Sequence, residues 1–205
     1  LLNKDMNLVA KFSGTNYKDD TYTLVKDLKA GENHKVCASV VAVHERGYLL
    51  KDSSGYVMVY LGSNAQIDYK VNDLVVISGV VEDYEGKPQF TKESSISKVD
   101  VSKENLSALE VDVNYLESYL NNIEYGKYVT FNASISTSVS GGKTYYNLYP
   151  FGSDLCIYTY YPQTSYISAF NTKNCTITGF LWTMVSRTYL VISEICEYEG
   201  VVENN

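Results

Sequence analysis

The sequence predicts an all-β protein made of two small closed barrels in tandem. Three observations lead to this fold class: a surplus of strand-favouring residues, one strand pattern that occurs twice, and a glycine inside the fourth strand of each copy. The 205 residues contain twenty tyrosines against three prolines and one tryptophan. Aromatic and β-branched residues favour strands, and this length allows two domains of about 100 residues.

The repeat is clearest in a hairpin. Residues 48–61 read YLLKDSSGYVMVYL, and residues 145–160 read YYNLYPFGSDLCIYTY. Each stretch is an apolar strand, a polar stop and a second apolar strand. Leu50 corresponds to Leu148, 98 residues later, and the next apolar positions keep the same offset. An offset that drifts only by loop length is typical of a duplicated module.

Each copy is predicted to hold a short helix followed by five strands. The helix rests on leucines spaced by four, Leu24 and Leu28 in the first copy and Leu116 and Leu120 in the second. The strands are expected at 35–44, 47–52, 56–61, 73–84 and 87–98, and then at 128–137, 144–149, 154–160, 174–184 and 188–197. Five short strands with turns between them favour a small barrel.

The fourth strands read VVISGVV at 75–81 and CTITGFL at 175–181, which aligns Gly79 with Gly179. Glycine suits a barrel corner, where the chain bends and a side chain would crowd. The predicted domains are an N-terminal extension (1–20), barrel 1 (21–102), a linker with a short helix (103–126), barrel 2 (127–198) and an acidic tail (199–205).

The stretch GYLLKDSSGYVMVYL, followed by VNDLVVISGVVEDYEGKPQF, resembles the OB-fold, the five-stranded Greek-key barrel of the tRNA-anticodon and nucleic-acid-binding type. The resemblance covers about residues 21–198. Barrel 1 carries the Asp-x-x-Gly turn (Asp52) and the Asp-x-Val-x-x-x-Gly stretch (Asp73) typical of the family. Barrel 2 has Pro150 and Asn174 in place of these aspartates, so its assignment depends on the internal repeat.

The pair of copies also resembles tandem OB modules in exported proteins and lipoproteins of Bacteroides-like bacteria. That resemblance implies a periplasmic or cell-surface location in the cell envelope. It also implies a signal peptide, and a lipid anchor on an N-terminus that has been removed. No apolar run reaches the roughly 18 residues that a membrane-spanning helix needs.

The predicted binding face follows from side-chain alternation along the strands. If Leu50, Val57 and Val59 fill barrel 1, the alternate residues point outward, and the same parity applies in barrel 2. OB-folds bind ligands on this outer face, between the loop joining strands 1 and 2 and the loop joining strands 4 and 5. The resemblance therefore implies a ligand-binding set of Arg46, Lys51, Tyr56, Met58, Tyr60, Lys143, Tyr145, Tyr149, Tyr158, Tyr160, Trp182 and Arg187.

An exposed tyrosine row beside cations is what base stacking and phosphate neutralisation use. Between residues 127 and 193 the only acid is Asp154, although the chain as a whole carries a net charge of −7. The first hypothesis is therefore single-stranded nucleic acid or oligonucleotide binding. The alternatives are an extracellular glycan- or protein-binding module and a structural spacer. A row of tyrosines can also stack on sugar rings. In a purely structural role, the tyrosines would instead cover the barrel, pack against the short helix or fill the seam between the two barrels.

Catalytic and metal-binding patterns are missing from the sequence. The SGGKT stretch at 140–144 has Thr137 where a phosphate-binding loop needs glycine. The four cysteines form no CxxC pair, and the two histidines have no ligand spacing. We expect no enzymatic activity, no cofactor and no metal ion. The cysteines are predicted to be free buried thiols, with a Cys156–Cys196 disulfide as the alternative that OB topology allows.

Overall fold

The computed structural model describes residues 22–102, 104–119, 126–184 and 187–200. The predicted N-terminal extension, Leu120 and the end of the acidic tail lie outside the described residues. Barrel 1 contains β1 (Asn33–His44), β2 (Gly47–Lys51), β3 (Tyr56–Tyr60), β4 (Asp73–Tyr84), β5 (Lys87–Thr91) and β6 (Ser95–Val101). A 3₁₀ turn, Val25–Asp27, precedes β1.

The second sheet contains β7 (Leu109–Glu110), β8 (Lys127–Ser140), β9 (Lys143–Pro150), β10 (Ile157–Thr159), β11 (Asn174–Met184) and β12 (Arg187–Glu197). Helix α1 (Val113–Tyr119) precedes β8. Helix α2 (Thr164–Ile167) continues as a 3₁₀ turn over Ser168–Phe170 and connects β10 to β11. Neither β7 nor α2 is predicted from the sequence, because both are too short to show a period.

Both sheets close in the same order. In the first, the ring runs β1-β2-β3-β5-β4 and closes by pairing of β4 with β1. In the second, it runs β8-β9-β10-β12-β11 and closes by pairing of β11 with β8. Within the rings, two strand pairs are parallel, β3 with β5 in the first ring and β10 with β12 in the second. The other pairs of each ring are antiparallel. This order matches the five-stranded OB barrel, and the predicted fold class is confirmed.

Side-chain parity separates the barrel interiors from their outer faces as predicted. Leu50, Val57 and Val59 lie in the core of barrel 1. Leu148 and Ile157 lie in the core of barrel 2. Burial of these aliphatic side chains, each worth about 1.5–3 kcal/mol, fixes the register, because a slip by one residue would turn them all outward.

In each barrel, the glycine of the fourth strand lies opposite a point where the regular pairing of the fifth strand is interrupted. In barrel 2, one extra residue of β12 bulges opposite Gly179. In barrel 1, the predicted strand 87–98 breaks at residues 92–94 into β5 and β6, which pair with the end and the beginning of β4. Ser94 lies directly over Gly79. The bend of the fifth strand needs room at this corner, and both copies provide it with glycine.

The cysteine thiols are free. Cys175 is buried, Cys37 and Cys156 are half-buried, and Cys196 is exposed. The prediction that all four are buried is therefore wrong for Cys196, whose side chain faces solvent near the end of β12. In the part of the chain that the structure describes, no helix is long and apolar enough to cross a membrane.

Candidate functional site

A third apolar cluster joins the two barrels and forms a seam between them. The members from barrel 1 are Val41, Ala42, Leu49 and Met58, and those from barrel 2 are Tyr160, Phe180, Trp182, Met184 and Val191. Leu49 and Met58 project from the outer face of β2 and β3, which is the side that OB resemblance assigns to the ligand. In barrel 1, that face is covered by barrel 2.

Besides Tyr160, four predicted ligand residues lie in or beside this seam. Met58 is buried, and the ring of Tyr56 packs 5.7 Å from that of Phe180. The Lys51 ammonium is half-buried and donates to the Glu104 carboxylate at 2.9 Å. Trp182 is only 2% exposed. These side chains stabilise the contact between the barrels and present little surface to a ligand in this arrangement.

The outer face of barrel 2 borders an open groove of about 430 Å³. Half of the predicted ligand residues line it: Arg46, Lys143, Tyr145, Tyr158, Tyr160 and Arg187. Tyr149 lies outside the groove, farther along β9, and is 37% exposed. Thus Tyr145 and Tyr158 stand at an open surface, whereas Trp182 lies beneath the neighbouring barrel.

The strands of barrel 2 place the groove residues side by side. The β8–β9 hairpin extends to the pair Ser140 and Lys143, so Lys143 and Tyr145 lie on an arm beyond the barrel core. Parallel pairing of β10 with β12 puts Tyr158 next to Tyr189. Their ring centroids are 6.0 Å apart. Alternation along both strands turns these rings to the outside.

Each arginine lies over a tyrosine ring. The Arg187 guanidinium is 4.7 Å from the centre of the Tyr158 ring. The Arg46 guanidinium is 4.1 Å from that of Tyr161, and its Nη1 donates to the Tyr60 hydroxyl at 2.8 Å. Cation–π contacts of this kind are worth about 0.5–1 kcal/mol when exposed. They orient two positive charges along the groove.

Barrel 1 contributes to the groove through the loop after β1. The Glu45 backbone N–H donates to the Tyr161 carbonyl at 2.8 Å. The Glu45 carboxylate accepts a hydrogen bond of 2.6 Å from the Thr164 N–H at the start of α2. Tyr161 adopts a positive φ of 40°, which is uncommon for a non-glycine residue. These bonds hold Arg46 and Tyr161 together across the barrel junction.

Five tyrosines converge at this junction and form what we call the tyrosine cluster. Its members are Tyr60, Tyr84, Tyr160, Tyr161 and Tyr189. The Tyr160 ring packs edge-on against Tyr161 at 4.9 Å and against Tyr189 at 5.7 Å. Burial raises the pKa of the Tyr160, Tyr161 and Tyr189 hydroxyls, so all three keep their protons.

Sequence reasoning missed several lining residues. Tyr189 could have been found, because parallel pairing of the third and fifth strands places it beside Tyr158. Tyr161 and Glu45 could not, because they reach the groove only through the packing of one barrel on the other. Tyr84 ends the fourth strand, next to the loop that joins it to the fifth, and it lines the groove without being part of the predicted ligand-binding set.

A buried histidine of barrel 1, His44, lies behind the groove and packs against the lining residue Tyr160. The His44 ring packs edge-on against Tyr160 at 5.1 Å, and its Nδ1 accepts the Arg46 backbone N–H at 3.2 Å. Burial lowers the pKa of His44 to about 3, and the charge of Arg46 acts in the same direction. The imidazole is therefore neutral near pH 7.

No protein-family model matches the chain, and no curated protein matches it. Among solved structures, the p204 HINb domain has 11% identity and a TM-score of 0.37 over 78% of this chain and 94% of that chain. The tetrameric p202 HIN2 has 10% identity and a TM-score of 0.38 over 87% and 99%. A murine DNA binding protein bound with double-stranded DNA has 8% identity and a TM-score of 0.36 over 80% and 99%. At scores this low the fold assignment depends on the strand order of the chain itself.

Proposed function

We propose that the protein binds single-stranded nucleic acid in the groove of barrel 2 and catalyses no reaction. The observation that carries the proposal is the convergence of Tyr145 and Tyr158 with Arg46, Lys143 and Arg187 in one open groove. This groove lies on the outer face of barrel 2, the face on which OB-folds bind their ligands. Fold alone does not decide function, so the argument rests on these side chains.

The groove chemistry fits both parts of an oligonucleotide. Tyrosine rings stack on unpaired bases, and each stacked base contributes about 1–3 kcal/mol. The three cations can neutralise phosphates, which makes binding sensitive to salt. Bases within a duplex are already stacked on one another. Exposed tyrosine faces therefore favour a single strand.

The test is fluorescence anisotropy of a labelled oligothymidylate of twelve nucleotides at about 50 mM salt. Tyr158→Ala removes a stacking ring and should weaken binding by about tenfold. Arg187→Gln removes a phosphate contact and should reduce the slope of log K against log salt by about one.

Lys92→Gln is the matched control, because Lys92 is an exposed lysine of barrel 1 away from the groove. It should leave affinity and salt slope as in the wild type. Absence of binding at about 50 mM salt would reject the proposal. Equal affinity of the wild type and the Tyr158→Ala variant would also reject it.

Glycan binding is the second candidate, because the Glu45 carboxylate lines the same groove and the chain is acidic as a whole. Tyrosine rings stack on sugars as well as bases, and carboxylates accept hydrogen bonds from sugar hydroxyls. This candidate agrees with the location at the cell envelope that we also propose. It predicts binding on a glycan array with little salt dependence and no affinity for the oligothymidylate.

A further inference from the structure

The Tyr160 hydroxyl belongs to the lining of the groove and has no hydrogen-bond partner among the described residues. Tyr160 is 4% exposed, and its ring is held edge-on by His44, Tyr161 and Tyr189. Within the described ranges no hydrogen bond to this hydroxyl is formed, although buried phenols usually find a partner. The side chain lines the groove, so a bound molecule can supply the missing partner.

The charge at the inner end of the groove, where Tyr160 lies, comes from Arg46, which shares the Tyr161 ring with Tyr160. A guanidinium has five N–H donors, and the Arg46 side chain donates one hydrogen bond, to Tyr60, among the described residues. The remaining donors have no protein acceptor in that part of the chain. A planar set of donors of this kind matches the oxygens of a phosphate.

The polar side chains at the inner end can donate hydrogen bonds to a bound molecule. Burial raises the pKa of the Tyr160 and Tyr161 hydroxyls, so both keep their protons, and Arg46 can only donate. Glu45 is the one carboxylate lining the groove among the described residues, and the Thr164 N–H holds it. A base edge presents donors and acceptors together. A phosphate presents acceptors alone.

We propose that the tyrosine cluster and Arg46 form a subsite for a terminal phosphate monoester of the bound strand, with the Tyr160 O–H and Arg46 N–H groups donating to its oxygens. The buried Tyr160 and Met184 close the inner end. A chain end can enter such a site more readily than a phosphate flanked by nucleotides. This inference rests on the proposed function and adds the part of the ligand that the protein recognises.

The test compares three oligothymidylates of twelve nucleotides: unphosphorylated, 5′-phosphorylated and 3′-phosphorylated. The wild-type protein should bind one phosphorylated form about tenfold more tightly than the unphosphorylated form, as expected for charge-assisted hydrogen bonds. Tyr160→Phe keeps the ring and removes only the hydroxyl. It should abolish most of that difference, so that the variant binds the phosphorylated and unphosphorylated strands with affinities within about twofold of each other.

Tyr145→Phe is the control, because it removes an exposed hydroxyl from the same groove; it should keep the phosphate preference. Inorganic phosphate should compete with the phosphorylated strand and not with the unphosphorylated one. Equal binding of all three strands by the wild type would overturn the subsite and leave the proposed function standing. A preference that survives Tyr160→Phe would also overturn it. Absence of binding to every strand would reject both proposals.

Discussion

At the scale of single residues, the hydroxyl groups of Tyr48 and Tyr160 differ in their hydrogen bonding. Tyr48 points into barrel 1 and is fully buried. Its hydroxyl accepts hydrogen bonds from the Asp68 and Tyr69 backbone N–H groups at 2.8 and 3.2 Å. It thereby holds the connector between β3 and β4 against the core. The Tyr160 hydroxyl has no such partner in the described part of the chain and belongs to the groove lining instead.

Removing the two hydroxyls should therefore have different effects on stability. Tyr48→Phe removes the acceptor of two backbone N–H groups, those of Asp68 and Tyr69, and should lower the free energy of unfolding by about 1–3 kcal/mol. Tyr160→Phe should leave it unchanged or raise it slightly. Urea unfolding followed by circular dichroism measures both. A loss of stability in Tyr160→Phe as large as that in Tyr48→Phe would show that the Tyr160 hydroxyl is satisfied in solution.

His44 predicts a loss of stability in acid. Its pKa is about 3 in the folded protein, against an ordinary value of 6.5. Between these values the unfolded chain binds a proton that the folded protein does not, so stability falls as the pH falls from about 6.5 toward 3. The limiting slope is about 1.4 kcal/mol per pH unit.

Urea unfolding at pH 7.5, 6 and 5 tests this slope. His44→Gln cannot titrate and should show a flatter pH dependence than the wild type. His34→Gln removes the other histidine and serves as the control that retains the steep dependence. Parallel curves for the wild type and His44→Gln would contradict the buried neutral imidazole.

At the scale of elements, the fourth strand of each barrel depends on a glycine. A Cβ at Gly179 would lie 2.5 Å from the Val191 carbonyl oxygen and 2.9 Å from Leu190 Cγ. Both distances are too short for carbon contacts. The bulge of β12 places the Val191 backbone over Gly179. The close approach of the two strands at this bend therefore requires a residue without a side chain.

Gly179→Ala should accordingly lower the free energy of unfolding by more than about 2 kcal/mol, since backbone must move in a packed corner. Gly55→Ala is the control, because its Cβ would contact only Val25 Cγ1 at an ordinary 3.5 Å. It should change stability by less than about 1 kcal/mol. Thermal or urea unfolding of the two variants measures the contrast. Equal stabilities would mean that β12 repacks without strain.

At the scale of the whole molecule, the seam decides which face can bind a ligand. Packing of Leu49 and Met58 against Phe180 and Trp182 covers the outer face of barrel 1. The same packing brings Arg46 to the groove of barrel 2. The site is therefore composite, and its geometry depends on the contact between barrels as well as on barrel 2 itself.

Opening the seam should remove the site without unfolding the barrels. Leu49→Glu places a charge in a fully buried contact, which costs several kcal/mol. We expect Trp182 emission to shift to longer wavelength, oligonucleotide affinity to fall more than about tenfold, and the β signal in circular dichroism to remain. Val80→Glu, at a side chain that is 51% exposed, is the control. Unchanged affinity in Leu49→Glu would show that barrel 2 binds alone.

The sequence by itself determined the local pattern of this protein: two copies of five strands, the inward and outward parity, and the glycine corners. These follow from alternation and backbone sterics, which act between neighbours in the chain. Only the tertiary structure decided that Tyr56, Met58 and Trp182 lie in a seam while Tyr145 and Tyr158 line a groove. It also decided that Tyr161 and Glu45 join Arg46 there. Parity shows that a side chain leaves its barrel, but the docking of one barrel on the other, a contact between residues more than 100 positions apart, decides whether it meets water or protein.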